Sequence, residues 1–203
     1  MSAAEATAQS LIDVWAGEVR RLVPEVRALH QQYDLDLQRV KDDVRRLNEG
    51  QGGDWSLGEH YTYATWRRFW AAQHHLVWAA HQLERWVRRL ARERGTLEPE
   101  PDPLLAALRN ALEHLDEAEL DGYLLASAGN DPRRNRSLRS LPDARLPIGM
   151  TTDPRQLFDL LDTDEVERRA LGVVTTADRL AAEVQAWAQE RRSRGEMSPV
   201  ADD

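Results

Sequence analysis

Apolar side chains recur at steps of three and four along most of the chain. From Leu11 they run through Trp15, Val19, Leu22, Val26, Leu29, Tyr33, Leu37, Val40, Val44 and Leu47, which is the period of an amphipathic helix. Pro24 lies inside this run, where its missing N–H and its ring predict a kink. The glycines at 50, 52 and 53 are a clear stop. At about 1.5 Å per residue, a helix over 11–47 is long for a compact bundle. The pattern therefore predicts either a bend at Pro24 or a projecting arm.

A second helix is predicted over 63–94, stopping at Gly95. One stripe carries Phe69, Leu76, Ala80, Leu83, Val87 and Leu90, and another carries Trp66, Trp70, His74, Val77, Trp78 and His81. Together they cover more than half the circumference, so this helix must be central in its bundle or covered by a second subunit. Arg67, Arg68, Arg85 and Arg89 occupy the remaining face.

A third helix begins at Pro103, a natural first-turn residue, with Leu104, Leu105, Leu108, Leu112 and Leu115 on one side. The stretch 121–161 is rich in Gly, Pro, Ser and Arg and reads as a long irregular loop, with strand character only around 145–150. Asp162-Thr-Asp-Glu165 approximates a capping box for a last helix over 162–195, and 196–203 is left as a tail. The expected fold is all-α: residues 1–120 form the bundle core, 162–195 complete it, and about four principal helices pack antiparallel.

Composition narrows the chemistry. The 203 residues include seven Trp but no Cys, which removes disulfide frameworks, thiol catalysis and cysteine metal sites and fits a reducing, cytoplasmic setting. No apolar run reaches the roughly 18 residues of a membrane span, and no signal-peptide pattern opens the chain. The formal net charge of −8 argues against a nucleic-acid binder that uses its whole surface. Every cation except Lys41 is an arginine, a permanently charged planar fork suited to carboxylate or phosphate. Arg85, Arg88, Arg89, Arg92 and Arg94 crowd one predicted helix end, as the helix dipole favours. Arg133, Arg134, Arg136 and Arg139 sit in the long loop, where a polyanion such as RNA could order them; plain solvation is the competing reading.

The sequence lacks His-Glu-x-x-His, Gly-x-Ser-x-Gly and phosphate-loop patterns. His74 and His81 stand two turns apart on one face; packing in the core accounts for them better than a metal does. The segment with the most chemistry is Leu108-Arg-Asn-Ala-Leu-Glu-His-Leu-Asp-Glu117. On a continuous helix, Asn110 and His114 lie one turn apart and can meet, while Arg109 stands on the other flank beside Glu113. Arg and His then converge only if a second body brings another copy alongside. The structural alternative is an Arg109–Glu113 pair on a solvated helix face.

Arg109-Asn110-x-x-x-His114 resembles the R-N-x-x-x-H signature of the HEPN superfamily (higher eukaryotes and prokaryotes nucleotide-binding domains). Those proteins are small helical bundles, many of them metal-independent ribonucleases of toxin–antitoxin or antiviral defence systems. The resemblance implies a homodimer with a composite site, RNA as substrate, an antitoxin or other protein as a further partner, and no cofactor or metal. It assigns His114 as the base on the 2′-hydroxyl and Arg109 as the phosphate-stabilising cation, with Asn110 orienting one of them. The alternative is a catalytically silent bundle of this kind that serves interaction or regulation, docking partners through its long first helix.

Overall fold

The computed structural model describes residues 2–51, 55–126, 137–151 and 153–193. Helix α1 (Ala3–Asn48) opens on a capping box: the Ser2 hydroxyl accepts from the Glu5 N–H at 3.1 Å, and the Glu5 carboxylate accepts from the Ser2 N–H at 2.6 Å. The helix runs on through Pro24, which removes one backbone hydrogen bond without ending it. Its buried stripe is Ala8, Ile12, Ala16, Val19, Leu22, Val23, Val26 and Leu29. The seam predicted from Val19 to Leu29 is therefore present. Nearer the N-terminus, Ala8, Ile12 and Ala16 take the innermost positions and Trp15 packs at the edge of the core. Beyond His30 only Asp36 is buried, and the last turns of α1 are half-buried or exposed.

Helix α2 (Trp55–Glu93) begins eight residues earlier than its periodicity indicates and runs back antiparallel to α1. Its direction is fixed by contacts in reverse order: the Thr65 hydroxyl donates to the Asp36 carboxylate at 2.6 Å, Trp78 shares a cleft with Trp15, and Arg89 shares one with Ala3. Phe69, Leu76, Ala80, Leu83, Val87 and Leu90 are all buried, as the first stripe predicts. Each full burial of a Val, Leu or Phe side chain contributes about 1.5–3 kcal/mol. α2 packs against α1, α3 (Pro103–Glu113) and α4 (Thr163–Ser193), which makes it the central helix that its apolar arc requires.

Two buried or half-buried carboxylates anchor α3. The Asp102 side chain caps it by accepting from the Leu104 and Leu105 N–H groups at 2.9 and 3.1 Å. Glu84 of α2 accepts from the Asp102 N–H at 3.2 Å, and burial raises the Glu84 carboxyl above its ordinary range. Leu105, Leu108, Ala111 and Leu112 then face the core. Helix α4 starts where the capping pattern predicts, with the Asp162 carboxylate accepting from the Asp164 and Glu165 N–H groups at 2.9 Å each. Arg27 of α1 pairs with Asp164, and Arg169 of α4 lies 3.4 Å from Asp102.

The all-α expectation gives way between α3 and α4. Strands β1 (Glu119–Asp121), β2 (Leu124–Ala126) and β3 (Arg145–Pro147) form an antiparallel sheet in the order β1-β2-β3. Strands β4 (Gln156–Leu157) and β5 (Leu161–Asp162) form a second pair. Only β3 lies in the stretch where the sequence carries strand character. Strands of two or three residues are too short to show the period-two alternation that marks a strand, and β1 is exposed throughout. Leu125 and Leu146, paired across β2 and β3, are buried and attach the first sheet to the helical core. Gly122, at a φ of 60°, permits the two-residue turn between β1 and β2. Arg133, Arg134, Arg136 and the 196–203 tail lie outside the described residues.

Candidate functional site

With the leucine face of α3 buried, Arg109 falls on the flank that meets α2. Its guanidinium carbon lies 4.9 Å from the centre of the Trp78 ring, a cation–π contact. One terminal nitrogen donates to the Asn110 side-chain oxygen at 2.9 Å, and the other pairs with Glu113 at 2.5 Å. The side chain is 19% exposed, and its Nε is buried without a hydrogen-bond partner in the structure. The Arg109–Glu113 pair expected from the i,i+4 spacing is thus present. So is a contact that the spacing does not reveal, the stacking on Trp78.

His114 differs from its helical-wheel placement. α3 ends at Glu113, and His114 is the capping residue, with φ −120° and ψ 32°. The regular rotation of 100° per residue ends there. The cause is local: the chain passes directly into a single 3-10 turn over Leu115–Glu117 before β1. Asn110 and His114 are both exposed at this end of α3.

A cleft of about 580 Å³ opens beside the motif. Trp15 and Glu18 of α1, His74, His75 and Trp78 of α2, and Glu113 of α3 line it. The His74 ring stacks on Trp70 at 5.5 Å, and burial holds its imidazole below the ordinary value, assisted by His75 and opposed by Glu113. His81 is lowered in the same sense, by burial first and then by the positive charges of Arg109 and Arg85. His81 Nδ1 is buried without a partner. Two neutral imidazoles therefore sit near a cation stacked on tryptophan. Among the described residues, no three His, Asp or Glu side chains gather as a metal site would require.

Three of the five arginines at the end of α2 are paired within the chain. Arg88 and Arg92 both reach Glu98 at 3.0 Å, and Arg89 pairs with Glu93. Arg139 is exposed in a 3-10 turn over Leu138–Ser140, which packs against α3. No helix of the described residues is long and apolar enough to cross a membrane.

The fold and site together define a predominantly helical bundle carrying two small sheets, with an arginine–histidine segment at the end of its shortest α-helix. Compared with protein-family models, with curated proteins and with solved structures, the chain gives no significant match.

Proposed function

We propose that this chain is a metal-independent endoribonuclease of HEPN type, with His114 as base and Arg109 as the phosphate-stabilising cation. The observation that carries the reading is the arrangement at the end of α3. Arg109 is held on Trp78 and bonded to Asn110, with the exposed His114 one residue past the helix and an open cleft alongside. Metal-free RNA cleavage needs a proton acceptor and a fixed cation, and both residue types are present there.

In this mechanism the His114 imidazole takes the proton of a 2′-hydroxyl. The 2′-oxygen bonds to the adjacent phosphorus, and the bond from phosphorus to the 5′-oxygen breaks. The departing 5′-oxygen takes up a proton, leaving a 2′,3′-cyclic phosphate and a 5′-hydroxyl. Arg109 binds the phosphate through its terminal nitrogens, for which it must exchange Glu113 for the substrate. A homodimer that pairs two copies of this segment is part of the proposal, as is a toxin or antiviral role with an antitoxin or other protein partner in the cytoplasm.

One observation favours a second reading. Both terminal nitrogens of Arg109 already have partners, as in a bundle that keeps its arginine for structure and acts by binding alone. Incubating RNA with the wild-type chain and with His114→Ala in excess chelator separates the two. Cleavage by the wild type that the substitution abolishes supports the nuclease. No cleavage supports the binding module, and cleavage that appears only when metal is restored contradicts both readings.

A further inference from the structure

A second cleft, of about 640 Å³, lies at the other end of the α1–α2 pair. It collects three of the chain's four tyrosines and a tryptophan from three separate parts of the fold: Tyr33 of α1, Tyr63 and Trp66 of α2, and Tyr123 from the β1–β2 turn. His60 and Thr62 add polar groups at the wall.

The aromatic walls are held in place. The Trp66 indole N–H donates to the Ile148 carbonyl at 3.2 Å, and the Ile148 N–H donates to the Tyr123 carbonyl at 2.8 Å, so α2 and the sheet fix each other. Gly149 lies against Tyr123, whose ring carbon is 3.7 Å from where a Cβ would stand. Tyr63 stacks on Trp66 with centroids 5.5 Å apart and planes 24° from parallel. The outer surfaces stay open, with Tyr63 59% and Tyr123 72% exposed.

Exposed aromatic rings converging on a concave site call for a ligand with flat faces. Apart from Met150, the described residues of the cleft include no long aliphatic side chain, which disfavours an acyl chain or a leucine-rich helix. Arg67 places its guanidinium 5.9 Å from the Tyr63 ring centre, so the rim already carries a cation and disfavours a cationic ligand. That cation favours a ligand carrying phosphate. Burial, with Tyr123 and Asp34 adding, pushes the Tyr33 hydroxyl up, so it remains a donor. Planar bases with edge acceptors, strung on a phosphate backbone, match these features together.

We infer that the Tyr33–Tyr63–Trp66–Tyr123 cleft is a stacking platform for the unpaired bases of an RNA strand, with Arg67 on its backbone. The inference rests on the proposed ribonuclease function for the choice of RNA, and it makes this cleft a substrate-holding site distinct from the α3 segment. Along α2, Trp66 and Trp78 are twelve residues apart, or about 18 Å. A bound strand therefore has to extend over several nucleotides to engage both.

Binding is read without cleavage by titrating the full chain with a fluorescent 2′-O-methyl decamer, which has no free 2′-hydroxyl to attack, at low salt. The wild type is expected to bind, and Tyr63→Ala and Tyr123→Ala each weaken binding roughly 5- to 150-fold, the range for loss of one stacked base. Tyr63→Phe keeps binding near the wild-type level, because the ring face remains. Both tyrosines are exposed, so circular dichroism and sedimentation should report an unchanged fold and oligomeric state. Failure to bind, equal binding by the alanine variants, equal binding of an abasic decamer, or a change in oligomeric state on Tyr63→Ala with no effect on the decamer would each overturn the inference. If RNA is cleaved while the alanine variants bind normally, the platform alone fails. If the decamer binds through the tyrosines and no RNA is cleaved, the nuclease reading alone fails.

Discussion

Glu113 and Trp78 set what the Arg109 side chain can do. Trp78 fixes its plane, while Glu113 occupies the nitrogen that a phosphate needs. Glu113→Gln removes the competing charge and is expected to raise kcat/KM for RNA about ten-fold, equivalent to one charge-assisted hydrogen bond of about 1.5 kcal/mol. A slower variant would instead make Glu113 a positioning residue for Arg109. Nearby, burial holds His81 below its ordinary value of 6.5. The folded chain then binds fewer protons than the unfolded chain just below that pH. Stability is therefore full above about pH 6.5 and falls as the pH drops through it, with His74 acting in the same sense. His81→Gln should flatten the dependence of the urea midpoint between pH 7.5 and 5, and an unchanged slope contradicts this account of His81.

At the scale of elements, α3 is short and depends on its cap. Asp102 satisfies two N–H groups of the first turn, receives Glu84 at its own N–H, and stands near Arg169 of α4. Asp102→Ala is expected to cost about 1–2 kcal/mol, read as a lower urea midpoint, whereas Asp102→Asn retains most of the capping. A loss equal for both variants would show that the charge facing Arg169 matters more than the cap. The helices were legible because their period repeats many times: the α2 core stripe and the Asp162 cap stand where the sequence puts them. The end of α3 was not, since nothing in Leu112-Glu-His-Leu115 announces that the helix stops one residue before the histidine. Gln73 shows a different limit. It lies in the apolar stripe of α2, yet its side-chain oxygen accepts from the Phe158 N–H at 2.9 Å and ties the β4–β5 turn to the helix. Phe158 is held there at a φ of 53°, a conformation costly for a bulky residue. Its partner is 85 residues away in sequence, and local pattern cannot supply such a contact.

For the whole molecule, a net charge of −8 is compatible with RNA only where the surface departs from the average. The arginines of the α2 C-terminal end make that departure only in part, since Glu98 pairs with Arg88 and Arg92 and Glu93 with Arg89. The aromatic cleft departs from it through its ring faces rather than through net charge, since Asp34 acts on Tyr33 as Arg67 does on Tyr63, and sequence reading passed over it because Tyr33, Tyr63 and Tyr123 are each unremarkable until the fold brings them together. The motif segment was found in the sequence through its residue types, while the cleft beside it, with Trp15 and His75, needed the antiparallel pairing of α1 and α2. Cleavage of an RNA and of its fully 2′-O-methylated counterpart by the wild-type chain in excess chelator tests the nuclease assignment most directly. The RNA should be cut to fragments ending in 2′,3′-cyclic phosphate while the methylated strand stays intact. Cutting of both strands, products ending in a 3′-hydroxyl, or no cutting of either would contradict it.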